Sequence, residues 1–252
     1  MEDYADLKYI RTKDSGAGMK FEELASIVTG LGKLHALTFL NADLAEAMNP
    51  SCSSWLGQMI PANVKKLETH PHFGVVLRER STRLYAAFKA IVADGDTFYT
   101  KHFYKTAAKS HISKPPNYRA AYGSPNFIPF TIIHGDARLD NTFFNKNGEA
   151  RMIDWQCCQG RTPIVDIVSL LAETDPVVSC DREQLDAIFD IYLDSFMASC
   201  KHPLVTDGEL KDRQMLKKVL FGGDALPYGL QYLTFLMIIG IGSVVGDADE
   251  VM

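Results

Sequence analysis

The chain has no cluster of basic residues, no internal repeat and no low-complexity tract. Lys and Arg number 26 against 31 Asp and Glu, and the net charge over 252 residues is −5. Proteins that bind nucleic acids concentrate positive charge on one face, so this charge pattern predicts no nucleic-acid partner. The mild acidity is typical of a soluble protein and only weakly favours a cationic substrate.

Cysteine is scarce, and its spacing matches no zinc or redox motif. The five cysteines are Cys52, Cys157, Cys158, Cys180 and Cys200. Their odd number argues against a disulfide framework, and reduced thiols are the simpler interpretation. The amino terminus is acidic and lacks the basic and apolar regions of a secretory signal. Together these features predict a cytoplasmic protein.

One long run lacks charge. Residues 225–246 contain no Asp, Glu, Lys or Arg, but Pro227 and several glycines interrupt the run. Both a buried terminal helix and a membrane segment fit such a composition. The interruptions favour the buried helix and argue against a membrane partner.

Helical periodicity is present on both sides of a short β-rich centre. Apolar residues repeat at spacings of three and four over residues 21–40 and 73–92, which predicts two amphipathic helices. The same spacing returns after Pro163. It places Val165, Val168, Leu171 and Ala172 on one face and Leu185, Ile188, Phe189, Tyr192 and Phe196 on another. The proline-rich stretch 113–129 predicts an extended connection.

The centre contains three short β-type runs, at residues 130–133, 142–144 and 150–153. The last two flank Asn147-Gly148, a strong signal for a tight hairpin. The sequence therefore predicts an α+β fold that is mostly helical, with one small β-hairpin.

The chemistry is concentrated around that hairpin. His134-Gly135-Asp136 follows the first β run, Asn141 directly precedes the hairpin, and Asp154 directly follows it. Phosphoryl transfer needs a carboxylate to receive the attacking hydroxyl and oxygen ligands for Mg²⁺. A hairpin beginning after Asn141 would return the chain at Asp154, so these oxygens would converge. We predict Asp136 as the catalytic base and Asn141 and Asp154 as the magnesium ligands.

The segment IIHGDARLDNTFFNKNGEARMIDWQCCQGRTPIVDIVSLL (residues 132–171) resembles the catalytic core of aminoglycoside-phosphotransferase-like and ecdysteroid-kinase-like small-molecule kinases. LGKLHA at residues 31–36 is similar to an early helix in the carboxyl-terminal lobe of these enzymes. The resemblance implies a protein-kinase-like carboxyl-terminal lobe over residues 21–252, with residues 1–20 as a remnant of the interlobe linker. It also implies ATP and Mg²⁺ as cofactors and a small-molecule hydroxyl as the acceptor.

The resemblance also assigns individual residues. Asp136 matches the catalytic aspartate, and Asn141 and Asp154 match the metal ligands. Phe143 and Ile153 match positions that pack against adenine, although both also suit a plain core, and Glu2 lies in the segment whose backbone meets adenine. His134 is expected to support the catalytic loop. Asp166 is expected either to cap the helix that follows it or to accept hydrogen bonds from that loop.

Part of the family pattern is missing. The chain begins about where the amino-terminal lobe, with its phosphate-covering loop and lysine, should end. Residues 16–20 predict a flexible turn and do not replace that loop. The alternative to a small-molecule kinase is therefore a non-catalytic, kinase-like binding or regulatory module. Choline or homoserine phosphorylation also remains open, whereas Trp155-Gln156 after the metal aspartate argues against protein substrates. Oligomeric state is not readable from the sequence.

Overall fold

The structure, a computed structural model, describes residues 8–9, 18–41, 44, 63, 65–94 and 129–222. Most of these residues are helical. The α-helices are α1 (Phe21–Leu37), α2 (Phe73–Arg80), α3 (Thr82–Asp94), α4 (Ile164–Ala172), α5 (Pro176–Ser179), α6 (Arg182–Ser199), α7 (Pro203–Thr206) and α8 (Arg213–Phe221). Single 3₁₀ turns lie at Leu139–Asn141, Trp155–Cys157 and Glu209–Lys211.

The strands form two small antiparallel sheets. They are β1 (Lys8–Tyr9), β2 (Thr131–Ile133), β3 (Thr142–Phe144), β4 (Ala150–Met152) and β5 (Gln159–Arg161). The first sheet has the order β1-β3-β4, and β2 pairs with β5 in the second. The mostly helical arrangement with small antiparallel sheets agrees with the predicted α+β class and is compatible with a kinase-like fold.

Helix α1 forms where the sequence predicted it and packs along α6. At its start, the Lys20 backbone N–H donates to Glu23 Oε2 at 2.9 Å, which satisfies a donor that has no partner within the helix. The buried stripe of α1 comprises Leu24, Ile27, Val28, Leu31 and His35. It meets the buried stripe of α6, which comprises Ile188, Tyr192, Leu193 and Phe196. The predicted faces of both helices thus meet in one core.

The β-hairpin is also as predicted. Strands β3 and β4 pair with Thr142 opposite Met152 and Phe144 opposite Ala150. Gly148 closes the turn with φ +77°, a conformation that glycine adopts without steric cost. The Ala150 N–H donates to Ser26 Oγ at 2.8 Å, which attaches one face of the hairpin to α1.

Two helix predictions were wrong in detail. Residues 73–92 form two helices, because Ser81 is extended (φ −157°, ψ 108°) between α2 and α3. Its hydroxyl accepts the Leu84 N–H at 3.2 Å and so starts a new helix. In α4 the predicted face is not the most buried one, since Ala172 is exposed and Ile164, Ile167 and Leu170 are buried. The apolar spacing did not identify the buried face of α4, because this helix is buried on more than one side.

The flexible turn predicted at residues 16–20 was wrong for the residues that the structure describes. Met19 is fully buried. Its N–H donates to the Glu173 carbonyl oxygen at 2.9 Å, and its own carbonyl oxygen accepts the Asp175 N–H at 3.0 Å. Residues 18–20 are therefore attached to the end of α4.

Several sequence predictions lie outside the described residues. These are Glu2, Cys52, the charge-free run 225–246 and the extended connection except its last residue. The other four cysteines are free thiols. In the described part of the chain, no helix has the length and apolar character needed to cross a bilayer.

Two glycines of α1 provide a test of the α1–α6 contact. A Cβ at Gly32 would lie 2.8 Å from the Tyr192 carbonyl oxygen, whereas a Cβ at Gly30 would meet nothing within 4 Å. We expect Gly32→Ala to lower the free energy of unfolding by about 1–3 kcal/mol through overpacking. Gly30→Ala should raise it by about 1 kcal/mol through helix propensity. Urea unfolding of both variants checks the pair, and equal shifts would contradict the close packing.

Candidate active site

The loop between β2 and β3 has a geometry that depends on Gly135. This residue has φ +81°, and a Cβ there would lie 2.1 Å from the Cys157 carbonyl oxygen. Any larger residue would have to displace the Cys157 backbone. Gly135 therefore lets the loop turn directly after β2 and brings Asp136 to the partly exposed side.

The carboxyl group of Asp166 fixes this loop through two hydrogen bonds. Its Oδ2 accepts the His134 N–H at 2.7 Å and its Oδ1 accepts the Gly135 N–H at 2.9 Å. Asp166 is fully buried and lies inside α4, whose N-cap is Pro163. Of the two roles predicted for Asp166, the structure thus confirms the acceptor of loop hydrogen bonds rather than the helix cap.

A buried chain of polar groups supports Asp166 in turn. His35 Nε2 lies 3.2 Å from Asp166 Oδ2, and His35 Nδ1 lies 2.8 Å from the Tyr192 hydroxyl. Burial, and then the negative charge of Asp166, raise the pKa of Tyr192 well above its ordinary value. Asp166 Oδ2 already accepts the His134 N–H and acts as an acceptor toward His35 as well, which assigns the His35 proton to Nε2. Nδ1 of this tautomer then accepts the proton of the Tyr192 hydroxyl group.

His134 uses both ring nitrogens on the backbone. Its Nε2 lies 2.8 Å from the Ile153 carbonyl oxygen, and its Nδ1 accepts the Asp136 N–H at 3.3 Å. The imidazole is buried, and the Trp155 ring lies against it with a centroid separation of 4.5 Å. These contacts agree with the predicted supporting role, because neither nitrogen is left for a reacting group.

Asp136 and Asn141 are in direct contact at the two ends of the loop. Asn141 Nδ2 donates to Asp136 Oδ2 at 2.8 Å and to the Asp136 carbonyl oxygen at 2.9 Å. Arg138 Nε, itself buried, lies 3.4 Å from Asp136 Oδ2 without hydrogen-bond alignment. The Asp136 side chain is 32% exposed, so this carboxyl group is fixed in orientation and still open to a reactant.

Asp154 lies at the open end of the hairpin, beside Asn141. The Ile153 N–H donates to the Asn141 carbonyl oxygen at 2.9 Å, one residue before Asp154. Asp154 has left-handed backbone angles (φ 60°, ψ 62°) and is exposed. Its Oδ2 accepts from Gln156 Nε2 at 3.1 Å. Aspartate is among the few residues that tolerate this conformation, which turns the chain sharply after β4.

Asn141 and Asp154 are the residues at this end of the hairpin that could hold a magnesium ion. Both hydrogen bonds of the Asn141 side chain use its nitrogen, so its oxygen could face a cation, and the Asp154 carboxyl group could supply a second hard donor. Among the described residues, no group of three or more His, Cys, Asp or Glu side chains is arranged to hold a metal. The two side chains of Asn141 and Asp154 would nevertheless suffice for Mg²⁺, because this ion commonly takes one or two protein ligands plus water and phosphate oxygens.

Phe143 and Ile153 lie on the opposite face of the hairpin from α1. Phe143 pairs with Arg151, whereas its neighbours Thr142 and Phe144 are buried on the other face. Both Phe143 and Ile153 are half-buried. They therefore present apolar surface at the same end of the sheet as Asp154, on the side away from the core.

Sequence analysis missed several supporting elements of this site. His35 was placed on the apolar face of the first helix and in the LGKLHA motif, but its contact with Asp166 in a distant helix was not predicted. The contact of Tyr192 with His35 joins distant segments in the same way. Strand β1 was also missed: Lys8 pairs with Phe144 and Tyr9 with Phe143, which brings the predicted linker to the edge of the hairpin. A two-residue strand carries no periodicity that could reveal it.

Glu173 is a further group that was not predicted. Its Oε2 accepts the Leu139 N–H at 2.9 Å. Burial raises the pKa of Glu173, and the Leu139 hydrogen bond and the charge of Arg138 partly oppose that rise.

Replacing Asp166 should destabilise the whole protein. Asp166→Ala removes the acceptor of three donors, two of them in buried hydrogen bonds, and each unsatisfied buried group costs about 1–3 kcal/mol. We therefore expect a loss of about 3 kcal/mol or more in the free energy of unfolding, measured by urea denaturation. Asp166→Asn keeps one acceptor oxygen and should lose less. Equal stability of Asp166→Ala and the wild type would refute the role of this carboxyl group.

Thiol reactivity tests the burial of the segment after Asp154. Burial, and then the negative charge of Asp166, raise the pKa of Cys158 to about 11. At pH 8 only about a thousandth of such a thiol is thiolate, the reactive form. We expect iodoacetamide to label exposed Cys180 quickly and Cys158 only after unfolding, as mapped by mass spectrometry. Cys180→Ser is the control, and fast labelling of Cys158 in the native protein would contradict this geometry.

Comparison with known proteins identifies the family of the chain. No curated protein and no solved structure matches the chain. A profile of the ecdysteroid kinase-like family matches residues 1–203, which is most of the 252 residues. Membership in this family indicates kinase-like phosphotransfer to small molecules. The chain belongs to the ecdysteroid kinase-like family.

Proposed function

We propose that this protein transfers the γ-phosphoryl group of ATP to a hydroxyl group of a small molecule, with Mg²⁺ as the cofactor. The observation that carries the proposal is the contact between Asn141 Nδ2 and Asp136 Oδ2 at 2.8 Å, at the end of the hairpin that returns the chain at Asp154. A carboxyl group open to solvent and two oxygen ligands for a hard cation thus share one small region.

Asp136 is the residue that receives the acceptor. Its Oδ2 is engaged by Asn141 and lies near Arg138. The other oxygen, Oδ1, would accept the hydrogen bond of the incoming hydroxyl group and take its proton as the hydroxyl oxygen bonds to the γ-phosphorus and ADP leaves. Because Asn141 and the His134–Asp136 backbone contact fix this side chain, little reorientation is needed when the acceptor binds.

Asn141 and Asp154 are the residues that would hold the cation. Bound Mg²⁺–ATP would supply the phosphoryl group and neutralise the negative charge on its oxygens. Phe143 and Ile153 would pack against the adenine, and the backbone near Glu2 would meet its polar edge. The division into a linker at residues 1–20 and a catalytic lobe at residues 21–252 remains a prediction, as does a cytoplasmic location.

Two variants separate the proposed roles. Asp136→Ala should lower phosphotransfer about 10²–10⁴-fold, the usual contribution of a general base, and leave the affinity for Mg²⁺–ATP within a few-fold of the wild type. Asp154→Ala should weaken Mg²⁺-dependent ATP binding and phosphotransfer together. Calorimetry measures binding, and radiolabelled ATP with a panel of amino alcohols, sugars and steroids measures transfer.

Asp207→Ala, an exposed aspartate in the segment after α7, serves as the control and should change neither quantity. Mg²⁺-dependent ATP binding that survives Asp154→Ala would remove that residue from the metal site. Unchanged transfer by Asp136→Ala would remove the base. A wild-type chain that binds no ATP would instead favour the non-catalytic binding or regulatory module.

A further inference from the structure

Glu173 contacts the catalytic loop and the segment before α1 at the same time. Glu173 directly follows the last residue of α4, the helix whose first turn contains Asp166. Its side chain accepts the Leu139 N–H at 2.9 Å, and its carbonyl oxygen accepts the Met19 N–H at 2.9 Å.

The Leu139 N–H needs this acceptor. Leu139 begins the 3₁₀ turn that ends at Asn141, and the first N–H groups of a helical turn have no partner within it. The Leu139 and Ala137 side chains are fully buried, and the hydrogen bond from the Leu139 N–H to Glu173 is partly buried. A buried N–H without a partner is costly, and the carboxyl oxygen of Glu173 satisfies it.

The backbone of Glu173 and its neighbours is also fixed, by hydrogen bonds to Met19. The Asp175 N–H donates to the Met19 carbonyl oxygen at 3.0 Å, so the residues on both sides of Thr174 hold Met19. A Cβ at Gly18 would lie 2.5 Å from the Asp175 nitrogen, and therefore only glycine permits this close approach. Residues 18–20 cannot shift without moving the end of α4.

We propose that Glu173 is a positioning residue that sets the Asp136–Asn141 pair relative to the segment entering α1. Its effect on phosphotransfer rests on the function proposed above, whereas its effect on the loop does not. Asp136 and Asn141 flank Leu139, so a displaced Leu139 backbone would misalign the carboxyl group and the metal ligand together. Glu173 touches neither of them directly and acts through the Leu139 N–H.

Reach rather than charge determines the contact. Burial raises the pKa of Glu173, and Arg138 attracts its carboxylate whereas Asp140 and Asp136 repel it. A carboxyl oxygen at this position accepts the Leu139 N–H in either protonation state. Glutamine keeps an oxygen at a similar reach and should preserve the bond, whereas aspartate keeps the charge but is one methylene too short.

Hydrogen exchange of the Leu139 amide, followed by NMR without any ligand, tests the positioning. Glu173→Ala and Glu173→Asp should each raise the exchange rate of this amide at least tenfold, and Glu173→Gln should stay within about threefold of the wild type. The amides of Ile132 and Ile133 in β2 serve as internal references and should not change. If Glu173→Ala does not fold, Glu173→Asp provides the same test.

Asp181→Ala is the matched control. Asp181 is also a carboxyl group that accepts backbone N–H groups, from Glu183 and Gln184 at the start of α6. Its loss should destabilise the protein without changing exchange at Leu139. Unchanged Leu139 exchange in both Glu173→Ala and Glu173→Asp would overturn the proposal, and so would an equal rise in Asp181→Ala.

Phosphotransfer kinetics test the functional half. Glu173→Asp should lower kcat about tenfold or more with little change in the KM for ATP. Glu173→Gln should retain a kcat close to that of the wild type. Faster exchange at Leu139 with an unchanged kcat would reduce Glu173 to a structural contact and overturn its role in positioning for catalysis. A wild-type protein without phosphotransfer would count against the proposed function, and Leu139 exchange would still decide the positioning role.

Discussion

The buried carboxyl group of Asp166 is the interaction on which the candidate site depends. It accepts two consecutive N–H groups of the loop after β2, and His35 and Tyr192 extend the network into the α1–α6 contact. Because these side chains are buried, each polar group needs its partner, so the network specifies one arrangement of the loop. The helical core thereby dictates where Asp136 lies.

The second constraint is the exit from the hairpin. Pairing of β3 with β4 brings the chain back beside Asn141, and the left-handed conformation of Asp154 then turns it sharply. Gly135 makes the matching turn on the other side, directly against Cys157. These two unusual backbone conformations lie close to the proposed catalytic and metal-binding groups, where proteins commonly accept local strain for function.

Local rules predicted much of this arrangement. Helix α1 followed from apolar spacing, the hairpin from Asn147-Gly148, and the family from the HGD and IDWQ motifs. The same rules failed at residues 73–92, because the side chain of Ser81 satisfies the first turn of a new helix. They also failed on the buried face of α4, because Asp166 is buried against the loop around Gly135 while Ile167 and Leu170 lie in the hydrophobic core.

Sequence by itself determined the residue types of the candidate site and their order along the chain: a carboxylate, an amide before a hairpin and a carboxylate after it. Only the tertiary structure decided which buried groups hold them in place. Glu173 contacts the loop directly, and His35 and Tyr192 support it through Asp166. All three lie in segments far from the loop in the chain, and no periodicity or turn signal encodes such contacts. They form because each buried donor must find an acceptor, and folding alone decides which one is near.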